Sequence, residues 1–288
     1  MTQQPLVYDL HCHSNVSDGA LPPEALIARA VEKGVDVLAL TDHDGTEGIT
    51  AAQQAAESLP ITCVAGVEIS VTWGANTLHI VGLNIDINNV QLQNGLSALR
   101  DYRSGRAVEI GNRLAKAGIA GAYEGASKYA SETMLGRMHF AQFLVEAGHA
   151  KDTREVFKKY LVRNKPGYVP GEWATLEDAL GWIHAAGGQA VIAHPARYKM
   201  TATKLRRLIA EFKELGGVGF EVCSGVQHGD EVRHLAALAD KFELLASSGS
   251  DFHSPEQTWT ELGKITPLPA HVTPIWSTWP QSDERKFA

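Results

Sequence analysis

An α/β barrel interrupted by a helical insertion is the fold this sequence predicts, and three observations carry the prediction. From Leu6 to Ile85, short apolar runs rich in β-branched side chains alternate with amphipathic helical stretches, the signature of successive βα units. The same rhythm resumes at Leu176 and runs to Ser247, so about seven such strands flank one stretch without a convincing strand. The length of 288 residues suits either two average domains or one barrel of this class, which takes about 250 residues. The strand count favours the barrel.

Leu6 to Leu10 reads as the first strand. Pro22 and Pro23 open a helix that runs to about Lys33, with Gly34 as its C-cap; proline's fixed φ suits a first turn and glycine suits the left-handed residue past a last one. Val35 to Leu40 is the second strand, Thr46 to Ser58 the second helix, and Ile61 to Val67 the third strand. Glu68 to Trp73 and Leu78 to Leu83 then flank Gly74-Ala75-Asn76, a hairpin turn. From about Asn88 to Tyr160 the pattern is helix-rich. Beyond it lie helices at Leu176 to Ala186, Thr203 to Leu215 and Glu231 to Lys241, with strands at Gln189 to Ala193, Val218 to Val222 and Leu244 to Ser247. Prolines and two late tryptophans after Pro267 mark an extension expected to wrap the barrel surface. Residues 1–99 and 166–266 are thus assigned to the barrel, 100–165 to the insertion and 267–288 to the C-terminal extension.

With 44% hydrophobic and 20% charged residues the chain can bury a core, which excludes disorder and fibrous repeats. A net charge of −7 excludes a protein that coats nucleic acid wholesale, so no stable duplex binding is expected. The charge is uneven: residues 1–99 carry two basic and eleven acidic side chains, whereas residues 100–165 carry thirteen and seven. Such an insertion is either a solvated helical face or a local site for an acidic substrate. Cys12, Cys63 and Cys223 are too few and too scattered for a disulfide framework or a metal knuckle. Met1 to Pro5 has no signal-peptide pattern, and no run of about 20 apolar residues occurs. The expectation is a soluble cytoplasmic protein with no membrane partner.

Chemistry is concentrated where the strands end. The first strand finishes in Asp9-Leu10-His11-Cys12-His13, the second in Thr41-Asp42-His43-Asp44 and the third in Gly66-Val67-Glu68; His79 lies in the hairpin, His194 follows a later strand, and Asp251 and His253 follow the last. In a βα barrel those ends converge on the face where active sites are built. The i, i+2 spacing of His11 and His13 turns both imidazoles to one side of an extended strand. Imidazoles and carboxylates together suit Mn²⁺, Fe²⁺ or Zn²⁺. A single such histidine is most often structural, but six of the twelve, with Asp18, Glu68 and Asp251, fall at separate strand ends. Of the rest, His149, His184, His228, His234 and His271 read as structural. Asp42 and Asp44 flank a candidate ligand and either orient histidines or cap loops. Glu221 ends its strand and could face the same pocket without an assigned role.

The order His11-x-His13, Asp18, Thr41-Asp42-His43-Asp44, Gly66-Val67-Glu68-Ile69, His79, Ala193-His194-Pro195, Ser250-Asp251-x-His253 resembles the PHP (polymerase and histidinol phosphatase) family, whose nine expected ligands are all matched. The basic insertion, with Gly136-Arg137-x-His139 and Lys165-x-Gly167-Tyr168-Val169, and Arg197 after His194-Pro195, more narrowly resembles nucleoside 3′,5′-bisphosphate phosphatases and related 5′–3′ exoribonucleases. The resemblance implies a distorted, TIM-like (β/α)₇ barrel whose top face holds three divalent ions, most often manganese. By position, His11, His13, Glu68 and Asp251 would bind the first ion, Glu68, His79 and His194 the second, and Asp18, His43 and His253 the third.

The implied reaction is in-line attack on a phosphate monoester by a hydroxide bridging the ions, with no covalent protein nucleophile. Arg137 and Arg197 would clamp phosphate, a planar guanidinium offering paired donors, with His139 supporting the pocket. Lys165 and Tyr168 either join them or pack the insertion against the barrel. Of Trp73, Trp173, Trp182 and Trp259, expected mainly in the core, one near the mouth could stack a base. The expected substrate is a small nucleotide such as pAp (adenosine 3′,5′-bisphosphate) or a short 5′-phosphorylated oligonucleotide. Competing expectations are a histidinol-phosphate phosphatase, a non-catalytic metal-binding module and an amidohydrolase, the last disfavoured because no bridging lysine sits on a central strand.

Overall fold

Among the described residues seven strands follow one another around one sheet in the order in which they occur along the chain. The structure, a computed structural model, describes residues 5–130 and 134–280. The strands are β1 (Tyr8–Cys12), β2 (Val37–Leu40), β3 (Thr62–Trp73), β4 (Asn76–Leu83), β5 (Gln189–Ile192), β6 (Gly219–Ser224) and β7 (Leu245–Gly249). The helices are α1 (Pro23–Glu32), α2 (Ile49–Ala56), α3 (Val90–Lys116), α4 (Ala122–Ser127), α5 (Arg137–Glu146), α6 (Thr153–Val156), α7 (Leu176–Ala185), α8 (Ala202–Glu214) and α9 (Gly229–Lys241). Neighbouring strands are parallel except at β3–β4 and β4–β5, where β4 runs against both.

The sheet closes at its upper end, where the N–H of Asp251 donates to the His11 carbonyl at 2.8 Å and the N–H of His13 to the Phe252 carbonyl at 2.9 Å. Gly249 makes that seam possible: a Cβ there would lie 2.2 Å from the Cβ of His11. The third strand and the first arm of the hairpin, read separately in the sequence, form the single strand β3. Its β-branched run through Val64, Val67, Ile69 and Val71 suits extended backbone throughout, and pairing with β4 carries it beyond the barrel rim.

Helices pack outside the sheet through one large core that includes Leu26, Leu38, Ile69, Leu180 and Phe212. A separate cluster fills the barrel's lower interior with Leu10, Val37, Val64, Val81, Leu83 and Val191. The C-terminal extension touches both: Leu268 and Val272 pack on the outer core, and from Ile275 onward it joins this second cluster. Ile275 is fully buried in it, Trp276 stacks on Tyr8 with ring centroids 4.2 Å apart, and Trp279 Nε1 donates to Gln189 Oε1 at 2.5 Å. An open barrel end exposes apolar side chains, and these three residues cover it.

The helix-rich segment has a third cluster of its own, built from Ile110, Leu114, Phe140, Leu144, Val156 and Leu161. Helix α3 belongs to both sides. Its Leu92, Leu96 and Leu99 lie in the barrel's outer core, whereas Ala107, Ile110 and Leu114 lie in the third cluster. At Gly95 the helix presses flat on the Trp182 indole, since a Cβ there would come within 2.4 Å of that ring. The 27-residue α3 is therefore the beam that carries the basic segment over the barrel's upper face.

Candidate metal centre

The upper strand ends deliver nine histidine and carboxylate side chains into one largely buried volume. Glu68, on β3, is its hub. One carboxylate oxygen lies 2.9 Å from His194 Nε2, 3.0 Å from His79 Nδ1 and 3.3 Å from His11 Nε2; the other lies 2.9 Å from His43 Nδ1 and 3.3 Å from His13 Nε2. Asp251 Oδ1 sits 3.1 Å from His13 Nε2 and 3.4 Å from His11 Nε2. Asp18 Oδ1 lies 3.3 Å from His253 Nε2. Four overlapping groups have ligand atoms within 4.8 Å of one another: His11, His13 and Asp251; His11, Glu68 and His194; His43, Glu68 and His79; and His13, Asp18, His43 and His253.

The donor set fits divalent cations. His11 Nε2, His13 Nδ1, Asp18 Oδ1 and His43 Nδ1 are buried without a well-directed hydrogen bond, a costly state for polar atoms that a metal would relieve. Burial alone would raise the carboxyls of Glu68, Asp18 and Asp251. Surrounding histidines, led by His79 for Glu68, His253 for Asp18 and His11 for Asp251, hold all three well below the usual carboxylate range. Three ionised carboxylates in a histidine shell form a mixed nitrogen and oxygen site of the kind that takes Mn²⁺, Fe²⁺ or Zn²⁺.

Four further acids position the ligands. Glu221 accepts from His11 Nδ1 at 3.0 Å and, through its other oxygen, from the backbone N–H of His194. Asp42 accepts from the Ser14 N–H at 2.8 Å and from the hydroxyls of Ser14 and Ser17, fixing the loop between His13 and Asp18. Asp44 accepts from the N–H and hydroxyl of Ser70 on β3. Asp9 accepts from the backbone N–H groups of Ser250 and Gly263 and so anchors the loop that carries Asp251 and His253. Asp44, His194 and Asp251 all have positive φ, at 50°, 28° and 53°, strain that a site holds when its surroundings over-determine the backbone.

Beside this centre the insertion contributes a group of guanidiniums. Arg103 bonds Asp44 and the Ser70 hydroxyl, yet its Nε is buried without a partner. Arg106, only 8% exposed, donates to the Val169 carbonyl and lies over the Trp173 ring at 5.4 Å. Burial first, then the charges of Arg137 and Arg103, push Arg106 down to about 10. Arg137, partly buried over the Phe157 ring, is lowered by burial and by Arg103. On the barrel side Arg197 pairs with Asp251 and reaches the Ser224 hydroxyl at 3.4 Å. A cavity of about 720 Å³ adjoins Asp18 and His253 and is lined also by His139, Gln142, Tyr129 and the exposed Trp259.

Comparison with known proteins places this arrangement in a family. The PHP domain family matches residues 9–222. The chain belongs to the PHP domain family. A Chromobacterium violaceum protein named 3′,5′-nucleoside bisphosphate phosphatase is 49% identical over 269 residues, which cover 93% of this chain and 94% of that one. The Escherichia coli 5′-3′ exoribonuclease Rnm is 48% identical over 282 residues, covering 97% and 96%. Among solved structures, a Chromobacterium violaceum protein described as an amidohydrolase, with bound sulfate and no metal, superposes with a TM-score of 0.90 at 48% identity, covering 94% of this chain and 95% of that one. A Bifidobacterium adolescentis protein described as a metal-dependent phosphoesterase superposes with a TM-score of 0.77 at 26% identity, covering 94% of each chain.

The sheet is thus a distorted, seven-stranded PHP barrel. Its upper face brings together all nine of the side chains that the resemblance nominates as ligands. The five histidines read as structural lie outside those groups; His184, for example, bonds the Gly216 carbonyl. His139 is buried, its Nδ1 accepts from the Gly136 N–H, and burial lowers its pKa, so the ring is neutral with its proton on Nε2. Tyr168 lies near Arg106 and Arg137 and only partly offsets the lowering of both, whereas Lys165 is exposed in the preceding turn. Sequence reasoning missed Arg103 and Arg106, and left Glu221 without a role. The spacing of Arg100, Arg103 and Arg106 along α3 was the available signal.

Proposed function

We propose that this chain is a metal-dependent phosphomonoesterase that removes the 3′-phosphate from nucleoside 3′,5′-bisphosphates such as pAp, and that it also hydrolyses short 5′-phosphorylated oligonucleotides from their 5′ end. The observation that carries the reading is the pairing of two sites of opposite character: a carboxylate-centred ligand cluster beside guanidiniums that burial and mutual repulsion leave short of negative charge. A substrate with two phosphates answers both. The names of the relatives in Chromobacterium violaceum and Escherichia coli support this substrate class.

Three divalent ions, manganese foremost, fit nine ligands gathered in overlapping groups; when bound they would acidify a water and neutralise phosphate charge. The chain's own part is to hold and orient. Arg137 and Arg106, with Tyr168 between the insertion and the barrel, would bind the 5′-phosphate through charge-assisted hydrogen bonds. Arg197, beside Asp251, would give donors to the phosphate at the ligand cluster. His139, whose Nε2 keeps the ring proton, would donate a hydrogen bond there without carrying charge. Glu221 and Asp42 keep His11, His194 and the Asp18 loop in place during turnover. No described helix is long and apolar enough to cross a membrane, and three free thiols fit a reducing compartment such as the cytoplasm.

Phosphate release by the manganese-loaded protein from pAp and from histidinol phosphate, measured side by side, tests the reading. The expected result is a clear preference for pAp; preference for histidinol phosphate would sink it. His11→Ala and Asp251→Asn should abolish turnover, which separates an enzyme from a non-catalytic PHP module. Metal analysis should find three ions per chain.

A further inference from the structure

The 720 Å³ cavity beside Asp18 and His253 has the wrong chemistry for the 5′-phosphate. None of Arg103, Arg106, Arg137 and Arg197 lines it, and among the described residues its walls are mostly polar or aromatic with two carboxylates, Asp18 and Glu256. Its volume is that of a small-ligand site. Trp259, which lines it, is 70% exposed, an unusual position for so large an apolar ring unless something covers it. Tyr129, on the insertion, lines the same cavity, its hydroxyl bonded to Glu146, so the ring is held in place. Exposed Lys128, Lys151 and Arg154 flank the insertion residues Tyr129 and Thr153 of the same cavity. An aromatic platform in a polar cleft with cations outside it is the composition of a single-strand binding surface.

The chemistry of the two proposed substrates says which nucleotide belongs there. In pAp, water oxygen joins phosphorus, the P–O3′ bond breaks, and a proton ends on O3′. In a 5′-phosphorylated dinucleotide the same P–O3′ bond breaks with the same balance. The products are a nucleoside 5′-monophosphate and a downstream nucleotide that keeps the phosphate at its own 5′ oxygen. Both leaving groups are therefore nucleoside 5′-phosphates held toward the arginines. The substrates differ only in what else the reacting phosphorus carries, and that substituent needs room on the side of the ligand cluster away from the arginines.

Resting on the phosphoesterase reading above, we infer that the cavity is the seat of the nucleotide on the 3′ side of the bond that breaks, with Trp259 as the platform on which its base stacks. The cavity stands idle when pAp is cleaved and fills when the substrate is an oligonucleotide. Each cut leaves a new 5′-phosphate at the ligand cluster, one nucleotide short of the arginines, so the strand must advance by one step before the next cut.

Steady-state kinetics of Trp259→Ala and Trp259→Phe on pAp, on the dinucleotide pApA and on the trinucleotide pApApA decide the matter. Trp259→Ala should raise KM for both oligonucleotides about ten-fold, within the range of base stacking on an aromatic ring, and leave kcat/KM for pAp within about two-fold. Trp259→Phe should recover most of the loss. An equal loss on pAp would assign the ring to the base of the first nucleotide and overturn the inference, as would unchanged KM for the oligonucleotides. Wild-type protein that cleaves pAp but no oligonucleotide overturns it too, whereas failure to cleave either substrate defeats the parent reading itself.

Discussion

Glu221 is not among the candidate ligands, yet it holds two of them. One oxygen accepts a hydrogen bond from His11 Nδ1, which leaves Nε2 of that ring to face Glu68, while the other accepts from the backbone N–H of His194. Glutamine can accept at only one position and would turn an N–H toward the second donor. Glu221→Gln should therefore lower metal affinity by about 10–100-fold, the usual cost of losing such a partner, while circular dichroism stays unchanged. Unaltered affinity in a metal titration would remove Glu221 from the site. At Arg137 the prediction concerns substrate. Losing a charge-assisted hydrogen bond costs about 1.5–3 kcal/mol, so Arg137→Ala should raise KM for pAp by roughly ten-fold or more and barely affect adenosine 3′-phosphate, which has no 5′-phosphate to hold. Parallel effects on both would place Arg137 elsewhere. These roles were legible to different degrees. His11, His13 and Glu68 announce themselves because strand ends in a barrel converge. Glu221 was silent because its partner His11 lies 210 residues away and a lone carboxylate at a strand end carries no pattern.

Helix α3 hid its buried arginines behind its composition. Arg100, Arg103 and Arg106 recur at i, i+3, which by itself is an ordinary solvated stripe. Burial comes from Trp173, which lies under both Arg103 and Arg106, and from the Val169 carbonyl. Those contacts are tertiary, and nothing within the helix encodes them. The long continuous β3 was likewise visible only in pieces, because its partner β4 determines how far it runs. How the helix seats on the barrel is testable at Gly95. Alanine would improve helix propensity by about 1 kcal/mol, but its Cβ would intrude within 2.4 Å of the Trp182 ring. Overpacking of this kind costs about 1–3 kcal/mol. Gly95→Ala should thus lower stability in urea denaturation despite the better propensity, and it should raise KM for pAp by shifting Arg103 and Arg106 against the barrel. A stabilised variant would show that α3 has slack where it crosses Trp182.

Over the whole molecule, the ligand cluster spans residues 11 to 253 and draws on β1, β3, β4 and the loops after β1, β2, β5 and β7, so bound cations would tie nearly every barrel segment together. Without them the buried carboxylates must lean on protonated histidines. His13 shows the consequence: burial would lower it, but hydrogen bonds to Asp251 and Glu68 push it up to about 10, far above an ordinary histidine. A pKa raised on folding stabilises the metal-free chain fully below pH 6.5 and withdraws that support as pH climbs toward 10. Metal binding has the opposite slope, because ligating imidazoles must be neutral and each proton displaced at low pH weakens the site. Stripping the protein with a chelator and restoring Mn²⁺ at fixed excess should therefore raise Tm at every pH, through the linkage of ligand binding to folding. The gap between loaded and stripped protein should widen steadily from pH 6.5 to pH 9, with the stripped form's Tm falling over the same interval. Differential scanning calorimetry on both forms measures it directly, and a gap that stays constant or narrows would mean that the histidines around Glu68 do not hold the cations.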